Sequence, residues 1–170
     1  MEIILTKCKG IAWRLSDIKS VTRYADNYKI WLNLRDAFAH PYRQEDARNF
    51  IGKALSFDPQ TMFAICIDRT AAGSIGFGLG YDVERLPAEI GYWLGEPFWN
   101  QGILTDVLSA VTEYAIQPHG LTRIFAVPFE WNLPSFRVLK KAGYLLEGRM
   151  KKSAIKNGQV IDQSLYAYTI

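Results

Sequence analysis

The sequence predicts a mixed α/β (α+β) domain, with helices flanking a mostly antiparallel sheet. Three observations point there. Apolar runs of strand length recur along the chain, stretches of helical periodicity interrupt them, and an Asn157-Gly158 pair joins the last two runs as a hairpin turn. Ile3 to Leu15 reads as one bent strand. Ser16 and Asp17 then signal a helix start, and Ile18, Val21, Tyr24 and Ala25 recur at helical spacing. Tyr28 to Leu34 reads as a further short helix, and Arg35 to Tyr42 as a loop closed by Pro41. Gln44 to Leu55 is helical, with Ala47, Phe50, Ile51 and Leu55 on its buried face. Six more strands are expected at Met62–Asp68, Ser74–Gly80, Glu89–Leu94, Arg123–Phe129, Tyr144–Ile155 and Val160–Thr169, making seven. Two helices lie among them, from about Gly102 to Ala115 and from about Leu133 to Ala142.

Composition narrows the function. Of 170 residues, 49% are hydrophobic and 14% aromatic, enough for one cored domain over residues 1–170. Twenty Lys and Arg against 17 acidic residues leave a charge of +3. That suits a small anionic ligand and lacks the concentrated basic stripe of a nucleic-acid binder. The two cysteines, Cys8 and Cys66, have no metal-ligand spacing, so no metal is expected. No export signal and no membrane-length apolar run stand out, and a cytoplasmic monomer or homodimer is expected.

Three segments carry candidate chemistry. Gly73 to Gly80 is glycine-rich, but a dinucleotide fingerprint needs a helix directly after it, and Tyr81-Asp82-Val83-Glu84 leads into a loop. The nucleotide-binding oxidoreductase reading is therefore disfavoured. The alternating Gly76, Gly78 and Gly80 instead suggest close approach by a helix or a ligand.

The second segment, Trp99-Asn100-Gln101-Gly102-Ile103-Leu104-Thr105-Asp106, joins a strand to a helix. First-turn amides lack internal partners and sit at the positive end of the helix dipole, so this is a phosphate seat. Asn100 is the expected cap, and Gly102 lets the backbone approach an oxyanion. In the third segment, Asn132-Leu133-Pro134-Ser135 opens a second helix after a strand, and Lys141-Ala142-Gly143-Tyr144 closes it.

These segments resemble the GNAT acyltransferases, nearest the branch that acetylates ribosomal-protein N-termini and small amines. The family's pyrophosphate loop, Gln/Arg-x-x-Gly-x-Gly/Ala, aligns on Gly102, with Trp99 and Leu104 departing from it as in that branch. The later pattern Asn-x-x-Ser, five residues, Lys-x-Gly-Phe/Tyr is met by Asn132, Ser135, Lys141, Gly143 and Tyr144. Ala88 to Leu94 resembles the family's fourth strand, and Asn33 to Asp36 with His40 to Tyr42 its variable substrate-side loop.

The resemblance implies splayed central strands and acetyl-CoA as co-substrate for N-acetylation of a primary amine. An inactive acyl-CoA sensor or interaction module on the same fold is the alternative. It implies cofactor contacts from Trp93, Leu94, Trp99, Asn100, Gln101, Gly102, Ile103, Leu104, Thr105, Asn132, Ser135 and Lys141. Glu89 is the expected base acting through water, ahead of Asp82 and Glu84, and Ser135 the expected acid, a role some relatives give to tyrosine. Trp31, Phe38, His40 and Tyr42 are candidate walls of the acceptor pocket, and His40 a minor candidate base. His119, also beside a proline, has no assigned role.

Overall fold

The computed structural model describes residues 2–4 and 9–170. One eight-stranded sheet runs in the order β1-β2-β3-β4-β5-β6-β8-β7. Its strands are β1 (Glu2–Ile4), β2 (Lys9–Ile11), β3 (Met62–Ile67), β4 (Thr70–Leu79), β5 (Pro87–Leu94), β6 (Arg123–Ala126), β7 (Leu145–Lys156) and β8 (Gln159–Thr169). The helices are α1 (Ile18–Ala25), α2 (Tyr28–Trp31), α3 (Gln44–Leu55), α4 (Ile103–His119) and α5 (Leu133–Lys141). The mixed, mostly antiparallel class is as expected, but the described residues form eight strands, not seven. The first expected strand is two short ones, β1 and β2, paired antiparallel to each other. Cys8 lies outside the described residues.

Local chemistry explains most element boundaries. The Asp17 carboxylate accepts the Arg14 N–H at 2.9 Å and leads the chain into α1. Asn27 caps α2 by accepting from the N–H groups of Lys29 and Ile30. α2 is shorter than expected, because the chain leaves it in turns after Trp31. β6 also stops early, at Ala126. Pro128 has no N–H to donate to a ladder, and Phe129 retains only an isolated bridge to Gln163. α4 runs one turn past the expected end, through Pro118, and stops at Gly120 with φ 62°. The Asn157-Gly158 turn has φ 50° and 74°, the left-handed pair a tight hairpin needs.

Two cores share the sheet. On β3, Phe63 and Ile65 enter the core beneath α4 and α5, while Ala64 and Cys66 enter the one beneath α1 and α3. On β5, Ile90 and Leu94 join the first core and Trp93 the second. Both faces are thereby covered, and β5 runs through the middle of the molecule. Among the described residues, no helix is long and apolar enough to cross a membrane.

What comes close to Gly76 and Gly80 is backbone and not a helix, with the Met62 side chain also against Gly76. A Cβ on Gly73 would lie 2.4 Å from the Trp93 carbonyl oxygen, one on Gly76 2.9 Å from that of Thr61, and one on Gly80 1.8 Å from that of Glu84, while Gly78 faces open space. No helix follows Gly80 beyond a single turn at Asp82–Glu84, which removes the dinucleotide reading. Gly73→Ala should destabilise the protein by about 1–3 kcal/mol through overpacking, read as a lowered thermal midpoint. An unchanged midpoint would show that β5 shifts freely.

β5 and β6 are the parallel neighbours in this sheet, and their pairing is brief. Pro87, Ala88 and Glu89 match Arg123, Ile124 and Phe125, and there the ladder ends. β5 continues to Leu94, still paired on its other edge with β4. On the β6 side, Ile90 to Leu94 face a gap.

Candidate active site

The gap between β5 and β6 widens into a cleft of about 770 Å³. Alternate N–H and C=O groups of Ile90–Leu94 point into it instead of to a partner strand. Both helices that start at the cleft, α4 and α5, aim their N-termini at it.

At the first helix start the backbone turns through Asn100 at φ 60° and Gly102 at φ 82°. Gly102, and not Asn100, occupies the cap position, and no side chain caps the helix. The reason is conformational: the cap here is left-handed, where glycine is at ease. Thr105 and Asp106 make the first bonds, at 3.0 and 3.2 Å, to the Gly102 carbonyl. The amides of Ile103 and Leu104 precede those bonds and lack intrahelical partners. The turn is held in place by its neighbours. The Trp99 indole N–H donates to the Leu94 carbonyl at 2.7 Å, the Gln101 amide to the Pro97 carbonyl at 3.1 Å, and Ile103, Val107, Leu108 and Val111 are buried. Trp99 thus locks the loop to the end of β5.

At the second helix start, Asn132 accepts the Ser135 N–H at 3.3 Å. The Ser135 hydroxyl lies 2.8 Å from the phenol oxygen of Tyr92, which projects from β5. Burial pushes the Tyr92 phenol far above its ordinary range, outweighing the opposing pull of the Ser135 bond. Tyr92 therefore stays protonated and can donate to Ser135. At the far end of α5, Gly143 has φ 85°, and the buried Tyr144 places its hydroxyl 2.6 Å from that of Thr112 on α4. Burial raises the Tyr144 phenol as well.

Glu89 stands where the β5–β6 ladder ends, and its carboxylate pairs with Arg35. Among the described residues lining the cleft it is the only carboxylate. Asp82 and Glu84 lie on the turn before β5 and do not line it.

All the residues expected to touch cofactor line this one cleft: Trp93, Leu94, Trp99 to Thr105, Asn132, Ser135 and Lys141. The expected acceptor walls do not. Trp31 stacks on His40 with ring centres 5.4 Å apart and carries the Lys156 ammonium 4.0 Å from its own. Phe38 packs on Tyr42 and edge-on to Trp93. Tyr42 is buried, and its phenol is pushed up to about 12, first by burial and then by Asp46. The turns after α2 fold these rings together and present Leu32 to Arg35 to the cleft in their place. His119 packs on Phe77 and Tyr114 at the C-terminal end of α4.

Sequence reasoning assigned Arg137 no role, and it placed Arg35 only within a substrate-side loop and Tyr92 only within a strand, with no side-chain role for either. Tyr92 shares the strand face of Ile90 and Leu94, so the alternation of β5 was a usable signal.

A family model described as an acetyltransferase (GNAT) domain matches residues 11–145. YoaA of Bacillus subtilis (strain 168), named an uncharacterized N-acetyltransferase, is 37% identical over 95 residues, 56% of this chain and 53% of YoaA. The chain thus matches about half the length of that relative. YnaD of the same organism, likewise named, is 30% identical over 127 residues, 74% of each chain. A structure of RimL, the ribosomal L7/L12 alpha-N-protein acetyltransferase, in complex with coenzyme A has a TM-score of 0.86 at 25% identity, covering 100% of this chain and 98% of that one.

Proposed function

Because this chain belongs to the GNAT family of acetyltransferases, we propose that it transfers an acetyl group from acetyl-CoA to a primary amine. The observation that carries this reading is the early end of the β5–β6 ladder, which leaves a cleft between two helix N-termini. The donor supplies an activated thioester; the residues of the chain bind it, orient it and move protons.

The amides of Ile103 and Leu104 behind Gly102 suit a diphosphate, and a Cβ on Gly102 would meet nothing within 4 Å, so the seat is open. Lys141 and Arg137 add positive charge along the same wall. The inward-facing amides of Ile90–Leu94 can pair with an extended amide chain as a strand would, and one of them can stabilise an oxyanion at the thioester carbonyl. Glu89, at the mouth of the gap, takes the proton of the incoming amine through water. Ser135, held by Tyr92 and Asn132, gives a proton to the departing thiolate. We assign the protein to the cytoplasm, where such a donor is available.

Thiol release from acetyl-CoA over a broad amine panel tests the reading; no release with any amine would overturn it. Glu89→Gln should lower turnover by about 10²-fold or more, with CoA affinity by calorimetry nearly unchanged. Full activity in that variant would place the base elsewhere.

A further inference from the structure

A second cavity, of about 280 Å³, shares Arg35, Phe129 and Gln163 with the main cleft as common walls. It lies between the loop after α2 and the β7–β8 hairpin. We propose that this cavity is the acceptor subsite and that the acceptor is an α-amino acid: its amine is received at Glu89, its carboxylate by Arg35, and its side chain by the cavity. The assignment rests on the acetyl-transfer reading and deepens it.

Of the cationic side chains that line the main cleft, Lys29 is paired with Glu96, Arg137 and Lys141 stand along the diphosphate wall, and Arg35 faces Glu89, the one carboxylate among the described lining residues. That carboxylate is already matched by Arg35. A polyamine or aminoglycoside would bring several positive charges to a site whose two carboxylates, Glu89 and Asp36, are already paired with Arg35 and Lys156. A zwitterion brings one charge of each sign. It can exchange the Arg35–Glu89 pair for two new pairs, ammonium on Glu89 and carboxylate on Arg35, with no charge left unmatched.

This exchange is also easy. The Arg35 and Glu89 side chains are 72% and 41% exposed, so their pair is weak and readily opened. The neighbouring polar groups are held. Lys156, 1% exposed, is paired with Asp36 at 2.8 Å; Gln163 donates to the Val127 carbonyl and accepts from Ser153. Arg35 is the adjustable group at the junction, and its planar guanidinium suits two-point binding of a carboxylate. Phe129, Ala154 and Ile155 supply apolar wall for a side chain.

The bonds balance. The amine nitrogen forms a bond to the acetyl carbon and the carbon–sulfur bond breaks. The ammonium form of the acceptor loses two protons, one to solvent by way of Glu89 and one replaced on sulfur through Ser135. The products are an N-acetyl amino acid, CoA thiol and one free proton.

The test compares alanine, methionine and leucine with their α-carboxamides, with a dipeptide amide of uncharged side chains and with spermidine, by kcat/KM at saturating acetyl-CoA. The free acids should exceed their amides by about tenfold or more, since the amide leaves Arg35 without a partner. In Arg35→Gln the acid-to-amide ratio should fall close to one. Equal rates for acids and amides in the unaltered protein, a ratio that survives Arg35→Gln, or a preference for the dipeptide amide or spermidine would overturn the proposal while leaving acetyl transfer standing. Absence of transfer to every amine would overturn both.

Discussion

Gly102→Glu abolishes CoA binding in calorimetry while the protein still melts cooperatively, within a few degrees of the unaltered chain: this is the expected result with the largest effect. Two separate changes combine in it. A side chain at φ 82° strains the backbone by about 1–2 kcal/mol, as any L-residue would. A carboxylate then stands at the amides of Ile103 and Leu104, where the helix dipole and the open turn favour the anion of the ligand. Gly102→Ala isolates the first change. Its Cβ meets nothing within 4 Å, so it should lower stability modestly and weaken CoA only in part. Unchanged CoA affinity in Gly102→Glu would remove the phosphate seat from the proposal.

The second large effect is expected at the Tyr92–Ser135 pair. Ser135→Ala should lower turnover by about 10²-fold, the usual scale for a lost proton donor, with CoA affinity retained. Tyr92→Phe deletes one oxygen 2.8 Å from Ser135 and should lower turnover by a smaller factor, about tenfold. The double variant should be no slower than Ser135→Ala alone, because Tyr92 acts by positioning the serine hydroxyl and not on the substrate. Multiplying defects would mean that the two hydroxyls work independently. A loss of stability without a loss of turnover would reduce Tyr92 to packing.

Much of this was legible along the chain, for local reasons. The alternation Phe63-Ala64-Ile65-Cys66 marks a strand buried on both faces, and the two cores receive these side chains alternately. Asn132, Pro134 and Gly143 mark the two ends of α5 because capping and left-handed dihedrals depend on a few neighbouring residues. The same local preferences mark a helix start at Gly102, although Asn100 was the expected cap. Packing that distant segments decide was not legible in the sequence. The aromatic rings of Trp31, Phe38, His40 and Tyr42 pack on one another and on Lys156, a partner from the far end of the chain.

The order of strands and helices, the two helix starts and the hairpin turn follow from the sequence, since each depends on dihedral preference and periodicity within about one turn or strand. The point at which β5 parts from β6, the meeting of Arg35 with Glu89 and the bond between Tyr92 and Ser135 belong to the tertiary structure. Those partners stand 54 and 43 residues apart, and only sheet register and core packing bring them within reach of one another.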